Sequence, residues 1–228
     1  MANPEFDRYS SSYEELLRDP IRDRFTAGES GFFHRRKRDL IRKYCATKGA
    51  HARTYLDLGC GKGELLTLLR DDFVEAAGVD PSETMMQGIN GILTRVQNDP
   101  AKIPFEDERF DFVSAVCVYH HVPPAERLAL TLEVKRVLKP NGIFCIIEHN
   151  PWNPATRLIV SRTPVDENAI LLRASETRRL LKAAGFQVRR QEYFLYLPES
   201  LYRRIGALEN LLSWLPFGGQ YATFGHVQ

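Results

Sequence analysis

The chain has 228 residues, a hydrophobic share of 43% and a formal net charge of +2. This length sets an expectation of one or two domains with enough apolar material for a core. The balanced charge gives no global case for nucleic acid, and no run reaches the ~18 apolar residues of a membrane-spanning helix.

Residues 1–52 read as an arm ahead of the sheet. Segments 13–17 and 32–45 have helical patterning and are joined by a turn around Gly28 and Gly31. His34-Arg35-Arg36-Lys37-Arg38 with Arg42-Lys43 forms a dense basic run. It reads as the solvated face of a helix whose Phe32, Phe33, Leu40, Ile41 and Tyr44 turn inward, or as a surface for an anionic substrate, an acidic carrier or a membrane. No basic region followed by an apolar run opens the chain, so no signal peptide is expected.

Tyr55-Leu56-Asp57-Leu58-Gly59-Cys60-Gly61-Lys62-Gly63-Glu64 reads as a buried strand, a glycine loop and the start of a helix over 64–70. Such a loop lets the backbone approach a nucleotide-like ligand at a helix N-terminus. The spacing is G-x-G-x-G, whereas a dinucleotide site needs G-x-G-x-x-G. Asp57 at the loop mouth repels pyrophosphate and suits an ammonium or sulfonium. A second strand over 74–79 ends on Asp80-Pro81, where the acid can accept from both hydroxyls of a ribose or cap the helix near Ser82. A third strand over 92–96 leads to Asp99-Pro100, which alone is a turn signal.

D-x-G-x-G-x-G resembles the first motif of class I S-adenosylmethionine (SAM) dependent methyltransferases, of the group acting on small molecules and quinone-like lipids. Asp99-Pro100-Ala101-Lys102-Ile103-Pro104-Phe105 with Phe110-Asp111-Phe112-Val113 resembles that family's D-A-x-x-L-P-F and F-D-x-V passage. Arg136-Val137-Leu138-Lys139-Pro140-Asn141-Gly142 resembles its R-V-L-K-P-G-G turn, and Ala183-Ala184-Gly185-Phe186 a helix end before strand six. The resemblance spans roughly residues 53–197. It implies one α/β Rossmann-like, doubly wound domain over 1–228, with seven strands in the order 3-2-1-4-5-7-6, strand 7 antiparallel, under an N-terminal helical lid. It implies SAM as cofactor, held by Asp57, Gly59, Cys60, Gly61, Gly63, Asp80, Pro81, Met85, Asp99, Pro100 and Cys117, with Asp99 on the adenine amino group.

Acceptor choice is expected in the arm, at Phe33 and Lys37, and at two strand ends. Tyr119-His120-His121 follows strand four and Glu148-His149-Asn150-Pro151-Trp152 follows strand five, where open α/β sheets bind ligands. His121 and His149 are candidate bases, with Glu148 to orient a histidine. Tyr119, His120, Asn150 and Trp152 are candidate acceptor contacts. The acceptor is expected to be small, partly apolar, lipid-like or anionic, and methylated at oxygen. A SAM-binding domain without methyl transfer is the alternative reading.

A helix over 200–214 is expected to pack on the sheet as an insertion spanning 198–219, with Trp214, Leu215 and Phe217 as an alternative lipid contact, before a last strand over 220–227. Strand six is expected through residues 193–197. The four cysteines, Cys45, Cys60, Cys117 and Cys145, have no C-x-x-C spacing. Cys117 and Cys145, on expected buried strands, read as free thiols in a reducing, cytoplasmic setting, and no metal site is expected.

Overall fold

In the computed structural model, which describes residues 5–27, 29, 31–48 and 53–228, one sheet carries every strand: β1 (Thr54–Leu58), β2 (Glu75–Asp80), β3 (Leu93–Val96), β4 (Phe110–Val116), β5 (Leu138–His149), β6 (Gln187–Phe194) and β7 (Gln220–His226). Their order is β3-β2-β1-β4-β5-β7-β6, and β7 runs antiparallel to both neighbours. This is the expected Rossmann-like arrangement. The helices are α1 (Tyr13–Leu16), α2 (Pro20–Phe25), α3 (Phe32–Lys48), α4 (Glu64–Leu69), α5 (Glu83–Met86), α6 (Arg127–Val137), α7 (Pro154–Val160), α8 (Ala174–Ala183), α9 (Glu199–Ile205) and α10 (Glu209–Leu212). Gly28 and the segment joining the arm to β1 lie outside the described residues.

Alternation along each strand divides the core in two. Leu56, Val113, Phe144 and Ile146 meet Leu130 and Val134 of α6 and Leu181 of α8 on one face. Tyr55, Phe112, Cys145, Ile147 and Phe224 meet Phe32, Ile41 and Tyr44 of α3 and Leu65, Leu66 and Leu69 of α4 on the other. Tyr44 stacks on Phe224 with ring centroids 3.7 Å apart. Thus α3 is a layer helix whose first turns alone reach the carboxyl end of the sheet.

The motif residues outside the site are structural. Asp111 Oδ2 accepts from the N–H groups of Arg53 and Thr54, from Thr54 Oγ1, and from Lys139 Nζ at 3.0 Å, which fixes the start of β1 against β4. Arg136 donates to the carbonyls of Ile103 and Phe105 and so anchors the Ile103-Pro104-Phe105 turn. Asn141 turns the backbone at φ 64°, within β5, which begins at Leu138.

Two expectations are corrected. Strand six spans Gln187–Phe194; Leu195, at φ 63°, turns the chain out of the ladder. The single helix over 200–214 is instead α9, a 3₁₀ turn Gly206–Leu208 and α10. Its apolar row does not face the sheet: Leu208, Leu211 and Trp214 are 52%, 70% and 74% exposed, while Glu199 and Glu209 are buried. Two arginines of α3 explain the inversion. Arg35 pairs with Glu199 at 3.3 Å, and Arg36 pairs with Glu209. Buried charge takes a partner first, and that rotates the apolar side outward. No helix among the described residues is long and apolar enough to cross a membrane.

Candidate active site

The carboxyl ends of β1, β2, β4 and β5 open into a cavity of about 1140 Å³. The glycine loop makes one wall. Gly59 and Cys60 both donate to the Val79 carbonyl, which ties the end of β1 to β2. Gly59 has φ 69° and Gly63 φ 76°. A Cβ on Gly59 would collide with Val118, and one on Gly63 would lie 2.7 Å from Ile89 Cδ1. Only glycine fits both the conformation and the space.

Asp80 ends β2 with its carboxylate fixed from behind. Oδ2 accepts from Gly61 N–H at 2.8 Å and Oδ1 from Ser82 N–H at 2.9 Å. Each oxygen keeps a lone pair for a ligand. Ser82, not Asp80, caps α5, accepting from Met85 N–H at 3.2 Å. Asp57 is buried and accepts from Ser114 Oγ at 2.7 Å, which in turn meets Tyr55 OH at 2.8 Å. Burial dominates its titration and, against hydrogen bonding by Ser114 and Tyr55 and the charge of Lys37, pushes its pKa up to about 7. A buried acid of this kind calls for a cation in the cavity.

The arm closes the other side. Asp7 accepts from Ser82 and Thr84, which fastens the first turn, Glu5–Arg8, to α5. Phe6 meets His121 edge-on, with centroids 5.0 Å apart. Phe6, Tyr13, Leu17, Ile21, Phe25, Phe33 and Lys37 line the cavity. Lys37 is 6% exposed, with Nζ 3.9 Å from Cys117 Sγ. The basic run is therefore not a wholly solvated face: Arg35, Arg36 and Lys37 turn toward the protein. Burial would raise the Cys117 thiol, but Lys37 and His149 beside it bring it down to about 7.

At the end of β4, His120 Nδ1 meets Glu148 Oε2 at 2.5 Å, and Glu148 Oε1 accepts from Tyr119 N–H at 2.7 Å. Asp166 Oδ1 stands 3.4 Å from Nε2 of both His120 and His121. Burial opposes a charge on His120, yet Glu148 and Asp166 outweigh it and hold its pKa well above the ordinary value. The His149 ring centroid lies 5.2 Å from that of His120.

Most of the residues singled out from sequence meet here. Asp57, Gly59, Cys60, Gly61, Asp80, Pro81, Met85, Pro100, Cys117, His120, His121 and His149 line the cavity together with Phe33 and Lys37. Others do not. Asp99 is exposed, and its Oδ1 accepts from Ala101 N–H at 2.8 Å; Gln97 and Asn98 border the cavity in its place. Tyr119 turns into the core, its OH 2.9 Å from Thr131 Oγ1. Asn150 donates to the carbonyls of Pro216 and Gly218. Trp152 is 59% exposed under the Arg173 guanidinium. Glu148 sits behind His120 and does not border the cavity. The sequence reading missed Asp166, the arm residues Phe6 and Tyr13, and Gln220, whose buried Oε1 has no partner among the described residues.

These residues fit SAM: a loop that Cβ atoms would fill, a carboxylate with free lone pairs, and a buried acid wanting a cation. Residues 31–191 match a family described as methyltransferase domain. An uncharacterized methyltransferase of Synechocystis is 31% identical over 147 residues, covering 61% of this chain and 69% of that one. A sterol 24-C-methyltransferase of Gibberella zeae is 29% identical over 154 residues, and the match covers 60% of this chain but only 40% of that enzyme. A SAM-dependent methyltransferase from Thermotoga maritima superposes with a TM-score of 0.68 at 18% identity, covering 98% of each chain.

Proposed function

The chain belongs to the methyltransferase domain family and is a SAM-dependent methyltransferase, and from this premise we propose that it methylates a small, partly apolar acceptor at oxygen. The observation that carries the reading is the composition of the cavity beyond the cofactor residues. Phe6, Leu17, Ile21, Phe25 and Phe33 give one apolar wall, and His120, His121 and His149 stand in the wall formed by the ends of β4 and β5. An apolar body with a single polar reacting group suits that division. The sterol enzyme among the relatives is named for a lipid-like acceptor, which agrees in acceptor type though not in the atom methylated.

SAM supplies an activated methyl on a sulfonium. The protein's part is alignment and proton removal. Asp80 would take the ribose hydroxyls and Asp57 the ammonium, and Gln97 and Asn98 would face the adenine. His149 receives the acceptor proton. His121, steadied by Phe6, holds the acceptor head, and Glu148 acts through His120 as a positioning residue. The arm from Phe6 to Phe33 excludes water from the transfer.

The test is a screen of phenols, catechols, hydroxylated sterols and matched amines with labelled SAM, reading S-adenosylhomocysteine and the methylated product by mass. Methyl ethers from apolar hydroxyl compounds are expected. Turnover confined to amines or to carbon acceptors would overturn the assignment to oxygen.

A further inference from the structure

Beyond the cofactor residues, the cavity wall holds two imidazoles and a carboxylate that converge on one point. His120 Nε2, His121 Nε2 and an Asp166 carboxylate oxygen all lie within 4.8 Å of one another. Both imidazole nitrogens are 3.4 Å from the same Asp166 oxygen. A direct hydrogen bond would draw nitrogen and oxygen to ~2.7–3.2 Å. Ligand atoms held about 2.1 Å from a common ion at tetrahedral angles stand about 3.4 Å apart. Two of the three spacings, those from each imidazole to Asp166, are thus those of a coordination edge.

The outer contacts agree. A metal-ligating histidine usually gives its other nitrogen to a carboxylate, and His120 Nδ1 meets the fully buried Glu148 at 2.5 Å. That contact turns Nε2 of His120 toward Asp166 and the cavity, where its proton would leave as a cation binds. Glu148 is itself held by Tyr119 N–H, and His121 is braced by Phe6. Asp166 ends the 3₁₀ turn Pro164–Asp166, where its N–H donates to Thr163 O at 2.9 Å. All three candidate ligands border the cavity.

We infer that His120, His121 and Asp166 form a binding site for a first-row divalent cation of the Zn²⁺ or Co²⁺ type. Two imidazoles and one carboxylate select such ions over Mg²⁺ or Ca²⁺. Three protein ligands leave at least one position open toward the cavity. An oxygen donor fills it, and the hydroxyl of the acceptor is the oxygen at hand; this last clause rests on the oxygen-directed reading above. A cation there lowers the pKa of a bound hydroxyl, and His149, whose ring centroid is 5.2 Å from that of His120, is the neighbouring imidazole outside the ligand set.

The experiment uses the full chain after chelator dialysis. Co²⁺ is titrated and its visible d–d absorption recorded, with Zn²⁺ binding measured by calorimetry and Mg²⁺ as control. One equivalent of Co²⁺ with a tetrahedral or five-coordinate spectrum is expected, displaced by Zn²⁺ and not by Mg²⁺. Asp166→Asn and His121→Ala should each abolish the spectrum, and Glu148→Gln should weaken Co²⁺ binding 10- to 100-fold. Thermal melting and SAM binding of each variant show whether it has folded. Absence of a Co²⁺ spectrum in wild type, or its persistence in folded Asp166→Asn, overturns the site. Adding catechol to the Co²⁺ protein should shift the band; an unchanged band at saturating catechol overturns the open position. None of these readouts requires turnover. A failed metal site would leave oxygen methylation standing, and amine-only turnover would leave the metal site standing.

Discussion

The most direct test of the cofactor assignment is the pH dependence of SAM affinity. Asp57 is 3% exposed, and burial raises its pKa from the ordinary carboxylate range to about 7. A carboxyl raised in the folded state stabilises the fold fully below the unfolded pKa and loses that contribution as pH rises through 7. SAM reverses the preference, because its ammonium requires the ionised acid. Below pH 7 binding must therefore expel a proton, and the apparent Kd scales as one plus the ratio of protonated to ionised Asp57. Between pH 7.5 and 5.5 that predicts about a 25-fold loss of affinity. The upper limit is set by the α-amino group of SAM, which itself titrates near ~8. Calorimetry in two buffers of different ionisation enthalpy should register close to one proton released at pH 6. Asp57→Asn should bind SAM about 10- to 100-fold more weakly at pH 7.5, for want of a charge-assisted contact, and show a nearly flat profile. A flat profile in wild type, or an undiminished slope in Asp57→Asn, would refute the pairing of Asp57 with the ammonium.

Asp80→Ala removes the acceptor that Gly61 and Ser82 hold in place; at ~1.5–3 kcal/mol for each of two ribose bonds, SAM affinity should fall at least about 100-fold by calorimetry. Gly59→Ala forces a side chain into a left-handed residue against Val118, and should cost about 1–3 kcal/mol in urea unfolding while lowering SAM affinity. His149→Gln should cut kcat about 10²- to 10⁴-fold with little change in the SAM Kd; a kcat within threefold of wild type would remove His149 as the base.

How far the sequence carries depends on how local the signal is. The glycine loop and Asp80 were legible because a few adjacent residues fix the strand, the turn and the direction of the acid. Phe33 and Lys37 were legible too, since positions four apart on α3 share a face, and both line the cavity. Asp99 lies on the exposed side of its turn, with Oδ1 accepting from Ala101 N–H, while Gln97 and Asn98 border the cavity. Tyr119 and Asn150 failed for a related reason. Past a strand end the chain no longer alternates, so which neighbour faces the cavity depends on tertiary partners such as Thr131 and Pro216. Asp166 lies in a short turn with no motif, and only the fold brings it to His120 and His121. The tail misled most. Its leucines repeat at helical spacing, but Glu199 and Glu209 face inward to meet Arg35 and Arg36, ion pairs between segments far apart in sequence.

The position of β7 has a consequence for synthesis. β6 pairs with β7 alone, and β7 separates it from β5. While residues 220–226 are still inside the ribosome, β5 has an open edge and β6 has no partner at all. Glu148 and His149 lie beyond the β4 register, which ends at Ile147, and pair in the ladder with Tyr221 and Gln220 of β7, so they wait on β7 for that pairing. An emerging chain thus exposes the unpaired edge of the apolar β5 beside a mostly polar, unpartnered β6, a stage open to aggregation. Stalled or slowly translated chains should engage chaperones at this step, and the end of β5 that carries His149 should gain protection from hydrogen exchange later than β1 and β4.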